Sequence, residues 1–296
     1  MMHSTTIMKQ TKKQWKHTAG RLGVILFWLA VWQLIYKCVG RDLLFASPVS
    51  VFRRITELAV TRDFWRIILT SLCRIMSGFL LGLLFGSILG IITARWEPVH
   101  QLLKLPLSII KATPVASFVI LALVWISGTN LSTFISFLMV LPIIQENVHQ
   151  GVKHYDPLLL EVAKVYRLGR VKTLRTVYLP AVTPYFLSAC RVAIGFAWKS
   201  GIAGEVLAIP KDAIGTQLYH AKIYLETTDL FAWTAVIVLL SVLIEKIFTK
   251  LLETAATRWN GNYHSGTQES VQERAEYHEK TQEIVREDSA DENYGE

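Results

Sequence analysis

Arg191, Lys199 and Glu205 are the only charged residues in the apolar run from Ala181 to Ala208. A charge held at mid-bilayer costs about 2.5–3.5 kcal/mol on insertion scales, so such side chains face a partner or a wet cavity. Arg191 and Lys199 are eight positions apart, roughly 80° around a helix, and can share one broad face. Lys199 sits deepest in the run, where its ammonium suits an anionic group in a wet cavity. The competing use is structural: an ion pair of Lys199 with Glu146, Glu205 or a second subunit, or extension of Arg191 towards the interface. Arg74, in an earlier apolar run, reads as structural.

A second constellation lies just before that run. Asp156 can N-cap a helix that has Pro157 at its first position. Leu158, Val162, Val165 and Tyr166 then form an apolar stripe, with Glu161 and Lys164 between them. A break follows around Arg167–Gly169. A second short helix over about Val171–Tyr178 should stop before Pro180, because proline disfavours helix at the residue before it. The segment predicts a helix–turn–helix elbow with a basic exposed face, a rigid handle by which a partner could push on a membrane helix.

Motifs for independent chemistry are absent from the sequence. It has no G-x-x-x-x-G-K-[ST] phosphate loop, so no such ATP site lies on this sequence. It also lacks H-E-x-x-H and G-x-S-x-G. Cys38, Cys73 and Cys190 are far apart, with no C-x-x-C and no zinc spacing. The reading is of no catalytic residues, no metal and no cofactor.

The elements that position these residues are apolar blocks. Of 296 residues 52% are hydrophobic, gathered into stretches long enough to cross a hydrocarbon core of roughly 30 Å. The expected class is all-α integral membrane, with about six transmembrane helices and the elbow between the fourth and fifth. The spans are Leu22–Val39, Arg66–Thr93, Ala112–Ser127, Leu131–Glu146 (kinked or ended near Pro142), Ala181–Ala208 and Leu230–Leu251. Val49–Val60 reads as an interfacial helix, Gly128-Thr-Asn130 as a short turn, and Thr216–Tyr224 as a short helix within a polar loop. Gly78, Gly82, Gly86 and Gly90 recur every four residues along the second span. They form a ridge that lets a neighbouring backbone come close.

Charge sets the orientation. Residues 258–296 carry ten acidic and four basic side chains, so the formal +8 of the chain hides a basic remainder of about +14. That excess reads as the positive-inside bias of a membrane protein rather than as a nucleic-acid surface. Six basic residues fall between Lys153 and Arg175 alone. Both termini are therefore expected in the cytoplasm, with an uncleaved first helix after a basic start. Arg41, Arg53, Arg54 and Arg62 in the first outer loop run against the rule. The polar acidic tail is expected to be disordered.

The elbow also carries a resemblance. Glu161-Val-Ala163 and, at the far end, Leu179-Pro180 resemble the "EAA" motif of ABC importer permeases, read as E-A-A, three residues, G, nine residues, I-x-L-P. Glu161 to Pro180 spans the same twenty positions. Val177 replaces the isoleucine, Val162 the first alanine, and Arg167 the glycine. If that position needs φ > 0, Arg167 costs roughly 1–2 kcal/mol, and Gly169, two residues on, is the candidate to take over the turn. Beyond the motif, residues from about Trp65 to Leu252 are similar to permeases of the nitrate/sulfonate/taurine group. The shared stretches are Ser71-Leu-Cys-Arg74, Gly78-Phe79, Thr113-Pro114, Leu141-Pro142, Ala189-Cys-Arg191, Gly195, Gly204-Glu205 and Ile214-Gly215.

The resemblance implies three segments. They are 1–61 (basic start, first helix, interfacial helix), 62–252 (importer-type transmembrane domain) and 253–296 (acidic tail). It implies a multi-pass protein of the bacterial inner membrane that moves a small anionic solute with ATP hydrolysed elsewhere. An ABC ATP-binding subunit would dock on the elbow through Glu161, Ala163, Arg167, Gly169, Leu179 and Pro180. A solute-binding protein would serve the outer face. With six spans, a closed path needs a second permease copy, hence a homodimer in membrane lipid. A secondary transporter or channel is the competing class, but it leaves the elbow unexplained.

Overall fold

The structure, a computed structural model, describes residues 23–24, 26–41 and 43–260. The basic start and nearly all of the acidic tail lie outside the described residues. The chain divides into two compact units at Glu245 and Lys246. Described residues of the second unit form the end of one helix.

Among the described residues the architecture is all-helical. The elements are α1 (Leu26–Val39), α2 (Pro48–Ala59), α3 (Arg62–Arg95), α4 (Glu97–Ala112), α5 (Val115–Ala122), α6 (Gly128–Lys153), α7 (Pro157–Val165), α8 (Arg170–Thr173), α9 (Leu179–Ala208), α10 (Ile214–Ile223) and α11 (Thr227–Asn260). A π-helical turn, Leu174–Tyr178, joins α8 to α9. Among the described residues four stretches are long and apolar enough to cross a membrane: α3, α6, Arg170–Ala208 and Thr227–Thr254. Exposed Leu, Ile, Val and Phe side chains along α3 and α11 suit contact with lipid.

The expected third span is instead a bent pair. α4 and α5 meet at 104° across Thr113-Pro114. Thr113 is extended, at ψ 131, as the residue before a proline should be, so no single helix can run through. The pair counts as a fifth span only if taken as one. Of the first expected span, Leu22–Val39, α1 covers the described stretch Leu26–Val39.

The expected turn at Gly128 and the expected helix end near Pro142 are both absent. Gly128 is the first residue of α6 rather than part of a turn, and α6 continues past Pro142 to Lys153. Pro142 is buried among neighbouring helices, the setting in which membrane helices tolerate proline. The second elbow helix likewise does not stop at Pro180, because the π turn absorbs the proline. The Leu179 N–H donates to the Leu174 carbonyl, five residues back, and the wider turn makes room for a ring that would press on the preceding turn of an α-helix.

α6 lies between α3 and α9 at the centre of the bundle, with Phe79, Ile135, Ile144, Ile194 and Trp198 buried around it. The glycine ridge makes the α3–α6 contact. Gly78, Gly82, Gly86 and Gly90 are all buried. A Cβ on Gly82 would stand 2.6 Å from Val140 Cβ, and one on Gly86 would stand 2.9 Å from both Ile144 Cβ and the Leu141 carbonyl. No side chain fits there, which is why the ridge is glycine.

Two of the four arginines that ran against the charge rule, Arg53 and Arg54, are ion-paired. Arg54 donates two hydrogen bonds to Asp229, at 2.6 and 2.8 Å, and these hold its pKa above the ordinary arginine value. Arg53 pairs with Glu57. Arg66, at the same end of α3, pairs with Asp212.

Candidate functional site

The elbow forms from local chemistry. The Asp156 carboxylate accepts from the Leu158 N–H at 2.9 Å, capping α7 with Pro157 at its first turn. At the other end the Leu168 N–H donates to the Ala163 carbonyl at 2.9 Å, and the Arg167 N–H to the Lys164 carbonyl at 3.0 Å. These are the two hydrogen bonds of a Schellman cap. Such a cap needs a left-handed residue, and Arg167 is that residue, at φ 48. Glycine is preferred there because it lacks the Cβ that crowds the following carbonyl. Gly169 does not take over the turn: at φ −63, ψ 157 it is extended and precedes α8. Positive φ thus falls on the motif position itself, and the strain stays with Arg167.

Ala163 is buried, whereas Glu161 is exposed and no described hydrogen bond or ion pair engages it. The apolar stripe is exposed as well: Leu158, Val162, Val165 and Tyr166 range from 49% to 79% accessible. Lys164, Arg167, Arg170 and Lys172, in and just after α7, are exposed too. α7 therefore presents a mixed apolar and basic face, broader than the basic face that the sequence suggests. Leu179 and Pro180 lie past the π turn, at the start of α9. Beside them is a cleft of about 770 Å³ lined by Arg95, Lys153, Tyr155, Leu174, Tyr178, Leu179 and Val182, among others.

Arg191, Lys199 and Glu205 do not converge. Arg191 and Lys199 are exposed on one stripe of α9 with Val192 and Phe196, and a Cβ on Gly195 would meet nothing within 4 Å. Glu205 is 0% exposed and lies on a different side of the helix. Its Oε2 accepts from the Ser71 hydroxyl at 2.8 Å and from the Gly215 N–H at 3.2 Å. None of the described ion pairs joins Lys199 to Glu146 or Glu205; Glu146 pairs with Lys111 at 3.5 Å. Arg74 is half-buried and donates to the Lys211 carbonyl at 3.2 Å.

Sequence reasoning missed the Ser71–Glu205–Gly215 tie. Its available signal was a carboxylate close to a span's end with a serine in a neighbouring apolar run. The near-perpendicular α4–α5 bend was also missed, although Pro114 marks its place.

Residues 68–258 match the family described as the inner membrane component of binding-protein-dependent transport systems. The chain belongs to that family. Its relatives include the taurine transport system permease protein TauC of Escherichia coli, 25% identical over 81% of this chain and 89% of its own length. The SsuC protein of Bacillus subtilis, a candidate aliphatic sulfonates transport permease, is 24% identical over 79% of this chain and 85% of its own. The nitrate import permease protein NrtB of Synechococcus elongatus is 27% identical over 60% of this chain and 68% of its own. Among solved structures, the crystal structure of an amino acid ABC transporter with histidines matches with a TM-score of 0.50. It covers 70% of this chain and 96% of that one at 18% identity, which establishes a shared permease fold. Family membership and apolar helices together make this permease a multi-pass membrane protein of a transport system.

Proposed function

We propose that this chain is the membrane-spanning subunit of an ABC importer, working as a homodimer with a separate ATP-binding subunit and an external solute-binding protein. The observation that carries the reading is the α7 face, where Glu161 has no hydrogen-bond or ion-pair partner among the described residues and stands with exposed apolar and basic side chains. A monomer gains nothing from displaying Leu158, Val165 and Tyr166 on a capped helix outside the bundle. A docking partner would bury them, and each fully buried side chain of this size contributes about 1.5–3 kcal/mol.

In this reading the termini are cytoplasmic, 62–252 forms the translocation domain, and 1–61 and 253–296 flank it. The α9 stripe with Arg191 and Lys199 lines the path between two copies, where paired cations favour a small anion of the sulfonate, taurine or nitrate kind. Glu205, sealed within the bundle, stays out of that path. ATP hydrolysis belongs to the partner, since the chain has no phosphate loop.

The test is uptake into proteoliposomes carrying the permease with and without its ATP-binding subunit. The permease alone should hydrolyse no ATP and import nothing, and the complete assembly should import only with ATP. Uptake by the permease alone, driven by an ion gradient, would make it a secondary transporter and refute the proposal.

A further inference from the structure

α9 has a different attachment at each end. At its start it continues from the elbow through α8 and the π turn, so that Arg170–Ala208 forms one 39-residue span. At about 1.5 Å per residue such a span is roughly 58 Å long, enough to reach from one face of a membrane to the other. Near its far end is Glu205, 0% exposed. Glu205 Oε2 receives the Ser71 hydroxyl of α3 and the Gly215 N–H of α10. Ser71 Oγ in turn accepts the Ile214 N–H at 2.9 Å. The first two amides of α10 are therefore held by one carboxylate and one hydroxyl from two other helices.

The surroundings leave this join little play. A Cβ on Gly215 would lie 2.5 Å from both Glu205 Cβ and the Val206 nitrogen, so α10 is seated directly on α9. A Cβ on Gly201, one turn earlier, would lie 2.6 Å from both Ile75 Cγ1 and Ser136 Oγ, which locks α9 to α3 and α6. The Thr216 hydroxyl donates to the Pro210 carbonyl at 2.6 Å, closing the connector between α9 and α10 on itself. Arg66 to Asp212 and Arg74 to the Lys211 carbonyl fasten that connector to α3.

We infer that Glu205 is a positioning residue for transport, tying the outer helix α10 to the helix that carries the elbow so that a displacement of the elbow is delivered to α10. The inference rests on the importer reading above. A carboxylate is suited to the role because one oxygen accepts both donors. Glu205 Oε1 has no hydrogen-bond partner among the described residues. Glutamine can therefore stand in: its carbonyl takes the two donors and its amide replaces the unpartnered oxygen. Alanine leaves the two donors unmatched in a closed space.

The experiment uses the complete assembly of permease and ATP-binding subunits with the solute-binding protein. Taurine, methanesulfonate and nitrate serve as labelled solute probes. In Glu205→Ala, solute imported per ATP hydrolysed should fall at least about tenfold, as expected from leaving two buried donors unmatched. Hydrolysis itself should stay within about twofold of wild type, since nothing at the elbow has changed. Amide hydrogen exchange at Ile214 and Gly215 should accelerate in the same sample. Glu205→Gln should restore both readouts, and Ser71→Ala, a smaller change, should give an intermediate loss and faster exchange at Ile214. Wild-type import per ATP in Glu205→Ala, or unchanged exchange in Ser71→Ala, overturns the inference. So does a Glu205→Gln variant as impaired as Glu205→Ala. Failure of the wild-type assembly to import any probe with ATP would instead count against the importer reading, and the exchange measurements would still decide whether the tie exists.

Discussion

Gly82→Ala should weaken the join between α3 and α6, and the structure gives the size of the effect. The added Cβ would stand 2.6 Å from Val140 Cβ and Cγ1 and 3.2 Å from the Phe137 carbonyl. Carbon atoms rest at about 3.5–4.0 Å, so the methyl lacks about 1 Å of room. Val140 is fully buried and its Cβ moves only with the backbone, so α6 itself must shift. Overpacking of this kind costs about 1–3 kcal/mol, from which the better helix propensity of alanine returns about 0.5–1 kcal/mol. The net loss should be about 0–2.5 kcal/mol, centred on about 1 kcal/mol. Gly82→Leu adds three further carbons at the same point and should prevent assembly. The assay is the thermal unfolding midpoint of the purified permease in detergent, with Gly169→Ala as control. A Cβ on Gly169 meets nothing within 4 Å, so the control Tm should match wild type. If Gly82→Ala and Gly82→Leu both purify with the wild-type Tm, the ridge does not hold the two helices together.

Three other outcomes are expected. Arg167→Gly relieves the left-handed strain in the Schellman cap and should stabilise the elbow by about 1–2 kcal/mol; hydrogen exchange at Arg167 and Leu168 should slow, and unchanged exchange would show that the strain is absent. Lys199→Gln should cut uptake of an anionic solute about tenfold with assembly unchanged, because a charge-assisted hydrogen bond is worth about 1.5–3 kcal/mol; uptake equal to wild type would remove Lys199 from the path. Arg54→Ala leaves Asp229 without its bidentate partner and should lower the Tm of the permease, whereas Arg53→Ala, whose side chain is 82% exposed, should not; equal effects would mean that the Arg54 pair adds no stability.

Much of the fold was legible because its signals are local. Asp156-Pro157 specifies a capped start, and the structure has that cap. Four glycines at spacing four specify a close-packed ridge, and Val140, Ile144 and Val148 occupy the space their missing side chains leave. The prolines were read less well because their effect depends on what surrounds them. Pro114 sits between two short helices and turns the chain by 104°, Pro142 is carried inside a buried helix, and Pro180 is absorbed by a π turn. Glu205 was read with Lys199 because both are charges in one span. Six residues at about 100° each put them on different sides of the helix, and only the packed structure reveals Ser71 and Gly215 waiting on the other side. The glycine position of the elbow was legible as a point of strain, but the choice between Arg167 and Gly169 required the backbone angles.

The most direct test of the account is the coupling of ATP hydrolysis to uptake when Glu161 is changed to lysine. Glu161 lies on the exposed face of α7 without a partner among the described residues, so the change should leave the fold of the permease intact. It also adds a positive charge to a segment that is already net +4 between Lys153 and Arg175. Proteoliposomes containing the variant permease and its ATP-binding subunit, supplied with the solute-binding protein, should show normal insertion and dimerisation with uptake uncoupled from hydrolysis. Uptake by Glu161→Lys at the wild-type rate per ATP would contradict the account, because the elbow would then not be the element through which the ATPase drives transport.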